Sequence, residues 1–159
     1  MTPLETSYGD IDDLVGRELG VADWCLVDQA RVTEFARVTG DDQWIHTDGA
    51  RAASGPFGGT VVHGYLSLAM LPMMTRTVLQ IAGLASVINY GVNRVRFPRP
   101  IRVGLAVRDR ITVRAVETSS VSKRLVLTHT VEIDDGGAKP GCVAETISLL
   151  IPAAGQDAA

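Results

Sequence analysis

A chain of 159 residues, 46% apolar and 21% charged, has the length of one domain and enough apolar material for a core without metal or disulfide. Fifteen basic against eighteen acidic residues leave a formal charge of −3, which excludes the sustained basic field of an electrostatic nucleic-acid binder. Cys25 and Cys142 fit no Cys-x-x-Cys or Cys/His ligand pattern and read as buried apolar residues of a reducing compartment. Residues 1–13 lack the charged start and apolar run of a secretory signal. The most apolar stretch, 61–74, contains His63, Gly64 and Pro72 and is too short to span a bilayer. A cytoplasmic protein is the expectation.

In chain order, residues 1–15 are polar and read as a loosely held segment, residues 16–151 as one domain, and residues 152–159 as a frayed tail. Arg17 to Val27 predicts a strand. Asp28 then caps a short helix whose apolar side is Val32, Phe35, Ala36 and Val38, and Gly40 supplies a left-handed stop. After a Gly-rich loop, His63 to Ile81 is apolar on nearly every face, which marks a helix wrapped by other elements, with Pro72 kinking it. Strands follow at Ser86–Phe97, Val103–Glu117, Arg124–Asp134 and Val143–Ile151. Leu105, Val107, Ile111 and Val113 share one face, and Leu125, Leu127, Val131 and Ile133 another. Ser119-Ser120 and Asp135-Gly136-Gly137 are hairpin signals, so neighbouring strands should run antiparallel.

The stretch Gly40-Asp41-Asp42-Gln43-Trp44-Ile45-His46 carries the chemistry. On a helix, a separation of five would turn Asp41 and His46 apart, so cooperation requires a loop that folds back after the Gly40 stop. A paired carboxyl and imidazole can hold one water between them, one group taking a proton while the other supplies one. Two further blocks stand downstream: Gly55-Pro56-Phe57-Gly58-Gly59-Thr60-Val61-Val62-His63-Gly64-Tyr65-Leu66-Ser67, and Ile88-Asn89-Tyr90-Gly91-Val92-Asn93-Arg94-Val95-Arg96-Phe97-Pro98.

In this order and spacing the three blocks resemble the MaoC-like dehydratase family of (R)-specific enoyl-CoA hydratases, in its short branch with nodulation-protein-N-like members. The likeness runs from about Gly16 to Ile151. It implies an α+β hot dog fold, an antiparallel sheet wrapped around a long central helix, paired with a second copy as a homodimer or larger homo-oligomer. It places the family's catalytic Asp on Asp41, its catalytic His on His46, and its oxyanion-hole glycine on Gly64. Where the family usually has Asn-Pro, this chain has Gln43-Trp44; Ser67 is the hydroxyl nearest to the family's supporting Ser. The implied reaction is reversible addition of water to trans-2-enoyl thioesters. Asp41 is expected to take the water's proton and His46 to donate towards the α-carbon. No cofactor is implied beyond the coenzyme A or acyl-carrier protein that belongs to the substrate.

Other residues have secondary readings. Arg94, Arg96 and Arg99 are candidates for coenzyme A phosphates, because alternation sends Arg94 and Arg96 to one face. Asn89 and Asn93 would alternate onto the opposite, buried face, and Trp44 could shape an acyl tunnel. His63 reads as orienting the loop, and His129 falls in the apolar phase of its strand as a satisfied core histidine. Three scattered His residues have no metal-ligand spacing. The rival readings are a hot dog thioesterase and a non-catalytic acyl-binding or assembly subunit.

Overall fold

The computed structural model of the chain describes residues 2–155. Helix α1 spans Gln29–Thr39, with the Asp28 side chain accepting from the Arg31 N–H at 2.9 Å. Gly40 closes it at φ 76°, donating its N–H to the Ala36 carbonyl. Both devices satisfy backbone groups that helix ends leave without partners, and the left-handed cap suits a residue without Cβ. Short helices α2 (Trp44–Thr47) and α3 (Gly49–Ala53) follow.

The strands are β1 (Leu4–Ser7), β2 (Glu18–Val21), β3 (Cys25–Leu26), β4 (Leu79–Ala82), β5 (Leu84–Arg96), β6 (Ala106–Thr118), β7 (Lys123–Ile133) and β8 (Cys142–Pro152). The main sheet runs β2-β6-β7-β8-β5 with every pair antiparallel, and β3 adds to β6. The expected alternation is present: Val107, Ile111 and Val113 of β6, and Leu125, Leu127, Val131 and Ile133 of β7, are buried. Helices α4 (Gly64–Ala69) and α5 (Leu71–Val78) pack on that face, and Leu66, Met70, Leu71 and Met74 join the sheet's side chains in one cluster.

Several expectations are corrected. The strand expected over 17–27 is broken into β2 and β3, because a register shift between Glu18 and Gly20, with Gly20 at φ 139°, bends the chain away. The long helix is two helices. Pro72 lacks the N–H that would continue the ladder, so it stands in the first turn of α5 rather than inside one helix. The helical stretch also stops at Val78, since Leu79–Ala82 pairs in parallel with β1 and this non-local pairing overrides local propensity.

The N-terminal segment expected to be loose is part of the fold. Tyr8 and Ile11 are 1% and 0% exposed, and Lys123 of β7 donates to the Gly9 carbonyl and pairs with the Asp12 carboxylate. Apolar residues spaced between acids had masked that burial. At the other end Pro152 closes β8 and the Ala153 N–H bonds the Gly83 carbonyl; residues 156–159 of the expected tail lie outside the described residues. Cys142 is buried, which pushes its thiol up to about 11, whereas Cys25 is only half-buried because β3 is short and peripheral. Among the described residues no helix is long and apolar enough to cross a membrane.

Candidate active site

The Gly40 stop sends the chain into a loop that α2 folds back, and the backbone of that loop is pinned from three sides. Gln29 of α1 donates to the His46 carbonyl at 2.8 Å and accepts from the Thr60 hydroxyl at 2.7 Å. The Val61 N–H bonds the Ile45 carbonyl at 2.9 Å. His63 donates from Nε2 to the Asp41 carbonyl at 2.9 Å. Residues far apart in sequence thus hold Asp41 and His46 on one side of the loop.

The His46 ring donates from Nδ1 to the Val61 carbonyl at 2.6 Å, since a carbonyl can only accept. Its neutral form therefore carries a lone pair on Nε2. Burial lowers the His46 pKa below its usual value. The Val61 carbonyl opposes that shift, His63 adds to it, and the Asp41 carboxyl opposes it. The Asp41 carboxyl accepts from the Gln43 side chain at 3.4 Å, so the Gln that replaces the family's Asn touches the site directly.

Asp41, His46 and His63 each bring one polar side-chain atom within 4.8 Å of the others. The two rings stack with centroids 3.7 Å apart and planes 25° apart, so their in-plane lone pairs run alongside each other rather than converging. His46 Nδ1 and His63 Nε2 are both committed to carbonyls. This geometry suits a shared water better than a tetrahedral cation.

Gly64 begins α4 directly after His63, and its N–H has no acceptor among the described residues. A Cβ there would stand 2.7 Å from the Phe97 ring, so only glycine allows that ring to lie against the helix start.

The remaining candidates scatter. Ser67 is 2% exposed and donates to the Gly64 carbonyl at 2.6 Å, supporting the helix start rather than Asp41 or His46. Trp44 lies beneath the Arg51 guanidinium and against Gly55. Arg99 is engaged with Asp135 at 2.8 Å, whereas Arg94 and Arg96 are exposed on β5 and form no ion pair among the described residues. Asn89 and Asn93 are exposed and do not share a buried face, because register shifts at 89–91 and 92–94 break the two-residue period. Sequence reading missed Gln29, Gln43 as a partner of Asp41, and the Val61 carbonyl. Only non-local folding brings Gln29 and Val61 to His46.

A family model described as MaoC like domain matches residues 10–135. The chain belongs to the MaoC-like dehydratase family. Over 142 residues it is 43% identical to 3-hydroxyacyl-thioester dehydratase Z of Mycobacterium tuberculosis, covering 89% of this chain and 93% of the relative. Over 148 residues it is 38% identical to Nodulation protein N of Rhizobium meliloti, covering 91% of each. The unliganded R-hydratase PhaJ1 of Pseudomonas aeruginosa is similar in structure, with a TM-score of 0.71 and 25% identity over 87% of this chain and 83% of that one. The antiparallel sheet with helices on one face is the MaoC-like hot dog fold, and the chain is a hydro-lyase of that family.

Within this MaoC-like site His63 touches both Asp41 and His46, with Phe35 behind it at 5.1 Å. His63→Phe keeps the stacked ring and removes the donor to Asp41; His63→Gln keeps an amide donor and removes the stack. Misplacement near 1 Å can cost about 10²-fold in rate, so each variant should lower kcat by about 10- to 100-fold. Steady-state kinetics on folded protein checks this, and wild-type kcat in both contradicts it.

Proposed function

We propose that this MaoC-like protein is an (R)-specific enoyl-CoA hydratase, or 3-hydroxyacyl-thioester dehydratase in reverse, with Asp41 and His46 sharing one water. The observation that carries the reading is the His46 Nδ1 bond to Val61, which leaves the Nε2 lone pair uncommitted on a ring grouped with the Asp41 carboxyl. The water's hydroxyl adds to the β-carbon. Its proton passes to His46 Nε2 and from there to the α-carbon, while Asp41 accepts the water's second O–H and steadies the imidazolium. This revises the order expected from sequence, because a neutral His46 must gain a proton before it can donate one. The Gly64 N–H meets the thioester oxygen as negative charge develops there, a contact of the kind worth about 3–4 kcal/mol in other oxyanion holes.

Arg94 and Arg96, which form no ion pair among the described residues and stand close to the Phe97 that packs on Gly64, would meet the coenzyme A phosphates. The substrate carries that coenzyme A, or an acyl-carrier protein, and the proposed steps use no other cofactor. A second copy would pair along β5, the open edge of the sheet, where Ile88 and Tyr90 are 48% and 60% exposed.

The test is crotonyl-CoA in the assay cuvette. The expected outcome is loss of enoyl absorbance, an (R)-3-hydroxy product and no free thiol; thiol release without hydration would mark a thioesterase. The pH profile follows from His46. Its lowered pKa keeps Nε2 unprotonated below pH 6.5, so kcat/KM should hold there and fall only as pH drops through that lowered value. An acid limb at or above 6.5 contradicts the assignment.

A further inference from the structure

Gln29 is the first residue of α1, and the Asp28 cap that fixes the helix start also fixes the point from which its side chain leaves. The half-buried amide reaches two segments that lie 17 and 31 residues away in sequence. It donates to the His46 carbonyl at 2.8 Å and meets the Thr60 hydroxyl at 2.7 Å. The way round is forced. A carbonyl can only accept, so the NH2 group faces His46, and Oε1 is left to accept the Thr60 O–H.

Thr60 is followed by Val61, whose carbonyl holds the His46 ring through Nδ1 at 2.6 Å. His46 main chain, Gln29, Thr60, Val61 and His46 ring therefore close a circuit, and one histidine is gripped both by its backbone and by its imidazole. The far side of the circuit is anchored from outside: the Val103 N–H bonds the Thr60 carbonyl at 3.0 Å, and the Val62 N–H bonds the Ile101 carbonyl at 2.8 Å. The near side is not. His46 stands in α2, a helix of four residues with no side-chain bond at its N-cap. So short a helix does not hold its own shape, because nucleation costs more than one turn of hydrogen bonds returns. The ties to α1 and to residues 60–62 have to supply what α2 lacks.

We propose that Gln29 and Thr60 are positioning residues for the hydration reaction: their bond keeps the Val61 carbonyl against His46 Nδ1, which fixes the tautomer of the ring and leaves Nε2 open to the water. This rests on the reading of His46 as the group that takes the water's proton. Which imidazole nitrogen carries the proton is set by the bond that the other one makes. With the circuit cut, the His46 carbonyl and the Thr60 hydroxyl turn to solvent, the ring is free to shift, and the Nε2–H tautomer, which has no lone pair for the water's proton, becomes populated. Gln29 and Thr60 carry no charge, so replacing them leaves in place the Asp41 and His63 groups that act electrostatically on His46.

NMR of the imidazole nitrogens in the full chain reads the tautomer directly, and with three histidines present the His46→Asn variant identifies the His46 signals. The wild type should show Nδ1–H alone at neutral pH, whereas Gln29→Ala and Thr60→Val should each show a mixture of the two forms. With crotonyl-CoA, both variants should lose about 10- to 100-fold in kcat at unchanged KM, the scale of a misplaced group. Their double variant should be no slower than the worse single one, because both cut the same circuit. Thr60→Ser, which keeps the hydroxyl, should behave as wild type. Thermal unfolding controls for integrity, and either variant alone suffices should the other not fold. A wild-type tautomer in the folded variants overturns the proposal, whatever their rates, since a lower kcat would then report a structural role only. Wild-type turnover by His46→Asn sinks the underlying reading of His46 instead, and the tautomer still decides whether the circuit holds the ring.

Discussion

Asp41→Asn and His46→Asn should each lower crotonyl-CoA hydration by about 10²- to 10⁴-fold in kcat, the usual contribution of a positioned acid or base. Both variants are chosen to leave the loop in place. Asn at 41 preserves the length of the side chain and can still accept from Gln43, and the backbone bond from His63 to residue 41 is untouched. Asn at 46 can reproduce the Nδ1 donation to Val61 while removing the Nε2 lone pair. Because the two groups act on one water, the double variant should be little slower than the worse single one, as groups acting as a unit are not additive. Rate assays on variants with wild-type unfolding curves decide the matter. Turnover near wild type in both would remove the shared-water mechanism.

The second large effect concerns stability. Asp109→Ala should cost about 3–5 kcal/mol, because it strands the buried Nδ1 donor of His129. For a chain of this size that corresponds to a fall in Tm of about 6–20 °C. Asp109→Leu combined with His129→Leu should recover most of the loss, since both fully buried partners go together and the Thr146 hydroxyl that bonded His129 Nε2 is only half-buried. Urea denaturation of the single and double variants measures both quantities. A single-variant loss below about 1 kcal/mol would mean that water reaches this pair. Burial raises the Asp109 pKa against the opposing pull of His129, which is the electrostatic sign of the same desolvation.

Periodicity carried the second half of the fold, because two-residue alternation survives wherever one sheet face is buried. It failed at the bulges in β5, where a single extra residue moves Asn93 out of phase with Asn89. The Asp28 cap and Gly40 stop were legible since each acts on its own backbone within a few residues. Pro72 announced a break, but nothing local announced that Leu79–Ala82 would be claimed by a strand from the other end of the chain. At the site, Asp41, His46 and Gly64 were found through motif spacing, while Gln29 and Val61 reach His46 only through tertiary contact. Asp109 was legible in principle. It occupies the inward phase between Val107 and Ile111, and a carboxyl in that phase asks for a buried partner such as His129.

The parallel pairing of Leu4–Ser7 with Leu79–Ala82 has a bearing on how the molecule is born. A ribosome adding about 5–20 residues each second needs roughly 4–15 s to travel from one partner to the other. During that interval Tyr8 and Ile11 have no surface of their own fold to cover them, so this stretch of the nascent polypeptide is exposed apolar surface of the kind a chaperone at the exit tunnel would shield.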